Sequence, residues 1–140
     1  MKQLIIMRGL PGSGKSTAAA DIVGKSIVLG VIRSTDTQFI VNGEYKFDPT
    51  LLHFKHAANQ RLVKDDMLDG VPLIIVDNTN IKRSDFAVYI QMAKEFGYEV
   101  LEYIMQEPPF TDEYIRMCYK RNKHGVPFEA IQRMAKKFEK

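Results

Sequence analysis

The sequence predicts an α/β fold, a central parallel sheet of four to five strands with helices on both faces. Three observations carry this. Short apolar runs alternate with longer helical patterns along the chain, and strands that alternate with helices build parallel sheets. Two of the runs, 3–8 and 71–77, are apolar almost throughout, as strands covered on both faces are. Glycines at 9, 12 and 14 follow the first run at once and lead into a helical pattern.

In chain order, QLIIMR (3–8) is short and apolar, a buried strand. Residues 14–24 read as a helix ending near Gly24, and IVLGVIR (27–33) as a second strand with a glycine inside it. Residues 36–41 suit a short helix, followed by a turn around Asn42-Gly43. Asp48-Pro49-Thr50 is a helix-start signal for the helical pattern over 50–69, which Gly70 stops. VPLIIVD (71–77) is the clearest strand. A helix over 84–96 closes at Gly97, a fourth strand runs from 98 to 105, and Pro108-Pro109 breaks the chain. Helices over 111–122 and 128–138 flank the turn Gly125-Val126-Pro127.

The 140 residues suffice for one domain, 1–140, with one sizeable core. The composition, 45% hydrophobic and 26% charged, is that of a globular protein. Cys118 is the only cysteine, so no intramolecular disulfide forms, a reduced, cytoplasmic setting fits, and Cys118 reads as a small apolar helix residue. No run has the form of a secretion leader or the roughly 20 residues of a membrane span. The net charge of +3 is mild. Basic residues gather between Arg116 and Lys140, as a solvated helix face or as a surface that meets phosphate.

The glycine stretch carries the chemistry. Gly9-Leu-Pro-Gly-Ser-Gly14-Lys15-Ser16 matches G-x-x-x-x-G-K-[ST] at every fixed position, with a strand before it and a helix after it. Phosphate oxygens lie against successive backbone N–H groups, and glycine removes the side chains that would block them. The helix that follows turns its positive end to the anion. Gly9, Gly12, Ser13 and Gly14 form the cradle. Lys15 reaches the β- and γ-phosphates, Ser16 offers a hydroxyl to Mg²⁺, and Thr17 opens the helix beside them. The expected ligand is a nucleoside triphosphate, ATP, with Mg²⁺, in a P-loop NTPase or kinase fold.

A kinase also needs a carboxylate to take the acceptor's proton and a cationic lid over the phosphates. Asp36, in Arg33-Ser34-Thr35-Asp36, stands past the end of the second strand, the edge where open α/β sheets bind ligands. It suits a general base or a helix N-cap, and spacing leaves both open. Asp77, ending the 71–77 strand, suits the metal's water shell or a plain cap. Thr79 and Asn80 are hydrogen-bonding groups at the same edge, suited to a substrate. A helical lid over 110–126 carries Arg116, Lys120, Arg121, Lys123 and His124, and Arg121 can fork onto the transferring phosphoryl group.

On these residues the chain resembles the P-loop polynucleotide 5′-hydroxyl kinase family. Both the phage-type enzymes and the small kinase module of eukaryotic ubiquitin-ligase-binding proteins share the pattern. The matching pieces are Gly9–Thr17, Ser34-Thr35-Asp36, Asp77-Asn78-Thr79-Asn80 and Arg121 to Pro127, in the family's order and spacing. The resemblance implies transfer of the γ-phosphate of ATP to a 5′-hydroxyl end of DNA or RNA. It also implies Asp36 as general base, Lys15 and Ser16 at phosphate and metal, and Arg121 in the lid. Two departures touch the acceptor site. Phe39 stands where the phage-type enzymes carry an acceptor-holding arginine, and suits base stacking or core packing. Lys123 and His124 occupy the region of the second lid arginine. Gly43 to Pro49, with His56 and Asn59 on one helix face, resembles the eukaryotic module.

Two other functions share these features. One is a small-molecule kinase acting on a nucleoside, sugar or antibiotic hydroxyl. The other is an ATP-binding regulatory module that transfers nothing. The sequence names no protein partner.

Overall fold

The computed structural model describes residues 1–140. β1 (Gln3–Arg8) leads through the glycine loop into α1 (Lys15–Lys25) and β2 (Gly30–Arg33). A 3₁₀ turn, Asp36–Phe39, runs into the hairpin β3 (Ile40–Val41) and β4 (Glu44–Tyr45). A second 3₁₀ turn, Pro49–Leu51, opens α2 (Leu52–Leu68), followed by β5 (Leu73–Asp77), α3 (Arg83–Phe96) and β6 (Glu99–Ile104). α4 (Asp112–Arg121) and α5 (Phe128–Lys137) complete the order.

The main sheet has four parallel strands in the order β2-β5-β1-β6. β1 and β5 lie in its middle, as their continuous apolar character predicts. Alternate residues of these two strands feed opposite cores. Leu4, Ile6, Ile74 and Val76 meet Val63 and Met67 of α2 and Phe86, Tyr89 and Ala93 of α3. Ile5, Met7, Leu73 and Ile75 meet Ala19 of α1 on the other face. A third cluster roots the last two helices: Ile115 and Cys118 of α4 and Ile131 of α5 close on Leu10 and Ile81. Cys118 is therefore the buried apolar residue its context suggests, and burial pushes its thiol up. No helix is long and apolar enough to cross a membrane.

Three local expectations change. The second strand starts at Gly30 instead of residue 27, opposite Leu73, the first residue of β5. Ile27 and Leu29 stay exposed, and only the Leu29 carbonyl, accepting from the Leu73 N–H at 3.2 Å, touches the sheet. Residues 40 and 41 leave the expected short helix and pair with 44 and 45. The Asn-Gly dipeptide turns the chain with φ of 52° and 82°, the left-handed pair a two-residue hairpin needs. α1 runs one residue past Gly24.

Candidate active site

The register Met7↔Asp77 sets the ends of β1 and β5 side by side. The glycine loop and Asp77 thus share one edge of the sheet, and β2 brings Ser34 to Asp36 to the same edge. The Gly9 N–H donates to the Thr79 carbonyl at 3.0 Å, tying the loop to the segment after β5. Gly12 has φ of 81°, and a Cβ there would stand 1.9 Å from the carbonyl oxygen of Cys118. Gly14, at φ 94°, caps α1. The loop is thus glycine-rich for two reasons: its backbone angles, and the close approach of α4.

Lys15 extends its Nζ to the Leu10 carbonyl at 3.3 Å. Burial pushes its pKa below the usual lysine range, and Asp77 and Asp36 pull it back. The Ser16 hydroxyl donates to Asp77 Oδ2 at 2.7 Å. The other oxygen, Oδ1, is buried without a hydrogen-bond partner, and so is Ser13 Oγ. Burial raises the Asp77 pKa, against the Ser16 hydrogen bond and the Lys15 charge. A buried carboxylate oxygen with no partner, beside a serine hydroxyl and a lysine, fits a site completed by a hydrated hard cation. No group of three or more His, Cys, Asp or Glu side chains could hold a metal unaided. A cation here would therefore draw most of its ligands from phosphate and water. Thr17 is exposed in the first turn of α1.

Asp36 does not cap the 3₁₀ turn that it begins. The residue at the cap of its 3₁₀ turn is Thr35, and no side-chain cap bond forms. The Asp36 carboxylate, half-exposed, faces Tyr45 and His124: the Tyr45 hydroxyl donates to Oδ1 at 3.5 Å, and His124 Nε2 is 3.6 Å from Oδ2. Burial first, then the Asp36 charge and hydrogen bond, push the Tyr45 phenol up to about 12. The segment before Asp36 is pinned from three directions. Arg33 forks onto Asp66 of α2 at 2.7 and 2.8 Å. The Thr35 N–H donates to Asn78 Oδ1 at 2.8 Å, and its hydroxyl meets His56 Nδ1 at 3.1 Å. Burial lowers the His56 pKa.

Arg121 ends α4, with a guanidinium nitrogen 4.0 Å from where a Gly14 Cβ would be. It helps line a surface concavity of about 410 Å³ with Glu113, Arg116, Met117 and Lys120. The end of α4 thus stands beside the glycine loop.

Two expected acceptor contacts lie elsewhere. Phe39 is 2% exposed. Its ring packs on Phe47 at 5.1 Å and Tyr45 at 6.4 Å, so it belongs to the packing under the hairpin and offers no face to a base. Asn80 is equally buried. Its amide donates to the Met7 carbonyl at 2.7 Å, which fixes the loop after β5 rather than a substrate. Thr79 is half-buried and shows only its backbone bond to Gly9. Asn59 is also internal, donating to the Tyr89 hydroxyl at 2.9 Å.

Three residues gain roles that the sequence did not signal. Asn78 orients the Asp36 segment. Tyr45 reaches Asp36 because the register Ile40↔Tyr45 sets it at the base of the hairpin. Arg8 is fully buried between Phe86 and Phe138, 4.6 Å from each ring. It donates to the carbonyls of Asn80, Ile81 and Glu139 and to the Glu102 carboxylate. Only its place at the end of an apolar strand hints at this.

The parallel sheet, the glycine loop and the lysine-serine pair define a P-loop α/β protein of the kinase-like type. Residues 4–140 match the family described as an AAA domain, and the chain belongs to that family. It is similar to NEDD4-binding protein 2 of Homo sapiens, 36% identical over 138 residues, which cover 98% of this chain and 8% of that protein. The chain thus spans less than a tenth of that relative's length. Among solved structures it is similar to a chain of the Pnkp1/Rnl/Hen1 RNA repair complex. That match has a TM-score of 0.74 and 21% identity, covering 97% of this chain and 43% of that one. It is also similar to a sugar kinase from Janibacter sp. HTCC2649, with a TM-score of 0.67 and 17% identity, covering all of this chain and 79% of that one. At these identities the two structures speak for the fold alone.

Proposed function

We propose that the protein is an ATP-dependent phosphotransferase that moves the γ-phosphate to an acceptor hydroxyl, with Asp36 as general base. The single observation that carries this is the opposition of two carboxylates across one sheet edge. Asp77 is buried and bonded to Ser16, while Asp36 is open to solvent and engaged only at its rim. Two acids at one edge in such different surroundings suit different tasks.

Ser16 and Asp77 Oδ1 are the groups that would hold Mg²⁺, which when bound neutralises charge on the phosphate oxygens. The glycine loop and the N-terminus of α1 receive the phosphates, and Lys15 and Arg121 offset the charge of the transferring group. Asp36 accepts the proton as the acceptor O–H bond breaks. The new O–P bond forms while the bond from the γ-phosphorus to the β–γ bridging oxygen breaks, and ADP leaves.

For the acceptor, a small-molecule hydroxyl is the better supported class. The one group expected to stack on a nucleic acid base, Phe39, is buried. The fold is also shared with a sugar kinase along the whole chain. The 5′-hydroxyl end of DNA or RNA is the second reading. It draws support from the motif order and from the likeness to a chain of an RNA repair complex.

The test is transfer from γ-labelled ATP to a panel of sugars, nucleosides, and 5′-hydroxyl DNA and RNA oligonucleotides. Label on an acceptor, lost in Asp36→Asn, is the expected result, and the labelled class decides between the readings. ATP binding with no label on any acceptor would favour a regulatory module.

A further inference from the structure

Asp36 sits at the start of a short turn with its side chain about half exposed. A carboxylate in such a place rotates freely unless something holds it, and a general base works only when aimed at one proton. Its two oxygens face groups from two other elements: Tyr45 of the hairpin at Oδ1, and His124 of the α4–α5 loop at Oδ2. These two rings also stack on each other, with centroids 4.2 Å apart and planes at 36°. The loop that carries His124 is itself shaped from within. Asn122 Oδ1 accepts from the Val126 N–H at 2.9 Å, and Gly125 turns the chain at φ 67°.

We propose that His124 is a positioning residue, the latch by which the lid fixes the Asp36 carboxylate. This rests on the reading of Asp36 as general base. Arg121 and His124 are three residues apart. One end of the segment stands over the phosphate loop and the other against the base. A single closing movement therefore brings the phosphate cation and locks the base together. The His124 Nε2 stands 3.6 Å from Oδ2 and its ring rests on Tyr45, whose hydroxyl donates to Oδ1, so each oxygen is held from one side and keeps a further lone pair for the acceptor's proton. The other ionisable groups around Asp36 are Tyr45 itself and, farther off, Lys15, Asp77 and His56.

Two measurements on the full chain test the latch. The first is amide hydrogen exchange over residues 122–127 with a non-hydrolysable ATP analogue bound. Exchange should speed up in His124→Ala, Tyr45→Ala and Asp36→Asn relative to wild type, and unchanged protection in all three would overturn the latch. The second is steady-state transfer to whichever acceptor the panel labels. His124→Ala should lower kcat about tenfold or more and leave the KM for ATP within about twofold. His124→Gln, which keeps an N–H near the same point, should recover most of the loss. Tyr45→Phe keeps the stack and should cost less than Tyr45→Ala. Wild-type kcat in His124→Ala, or a loss confined to the KM for ATP, would overturn the proposal. Asp36→Asn run in parallel separates the two failures. If it transfers normally, the base assignment falls and the latch with it. If it is dead while His124→Ala is fully active, only the latch falls.

Discussion

Lys15 and Asp77 hold opposite charges in a half-dry corner, and each has its ordinary protonation disfavoured by burial. Such a pair is poised for an incoming anion and cation rather than for stability. Lys15→Ala should lower transfer by about 10²–10³-fold, read as kcat/KM for ATP, since it removes a cation aimed at the transferring group. Asp77→Asn should abolish the Mg²⁺ dependence of nucleotide binding, seen by calorimetry with and without the metal. It should also raise the melting temperature of the nucleotide-free protein at neutral pH. The sign follows from the direction of the shift. A carboxyl whose folded pKa is raised contributes stability that is complete below its unfolded pKa and lost as pH rises through the folded one. An uncharged Asn escapes that loss, so the difference in melting temperature should close under acid.

The glycine loop and α4 are a single packed unit. The carbonyl of Cys118 fills the space where a side chain on Gly12 would go. Gly12→Ala should therefore push α4 away and weaken ATP binding strongly, with loss of thermal stability. Gly43 has an equally positive φ of 82° but open space around it. Gly43→Ala should cost only the left-handed backbone term of roughly 1–2 kcal/mol. Denaturant unfolding and nucleotide titration of the two variants check the contrast. The loop's place between strand and helix was legible in the sequence because its residues are consecutive and the strand and helix around it are strongly patterned. The same holds for β1, β5, α3, α4 and α5, whose limits shift by no more than a residue or two. The β3–β4 hairpin was legible only as a turn, because two-residue strands carry no period. The apolar run at 27–29 read as strand, yet β5 begins only at Leu73, opposite Gly30, and reaches back no further than the Leu29 carbonyl.

Across the whole molecule, what the sequence hid is long-range. Arg8 to Glu139, Asn78 to Thr35 and Tyr45 to His124 join segments far apart in the chain. None follows from spacing. Asp36 illustrates the division: its position past β2 was readable, while its contacts with Tyr45 and His124, and the absence of a capping bond, were not. Phe39 and Asn80 show the converse, polar-edge positions by number that the fold turned inward. The basic stretch from Arg116 to Lys140 bears on the acceptor class. If the acceptor is a nucleic acid end, its KM should climb steeply with salt as bound counterions are released, whereas a neutral sugar acceptor should show little change. Initial rates across a salt series, with ATP saturating, separate the two.

The most direct measurement is transfer of label from γ-labelled ATP to the acceptor panel, wild type against Asp36→Asn, with ATP binding followed in both. The account predicts label on one hydroxyl class with the wild type, none with the variant, and equal ATP affinity. Full transfer by Asp36→Asn, or loss of its ATP binding, would contradict the assignment of Asp36 as the base of a phosphotransferase.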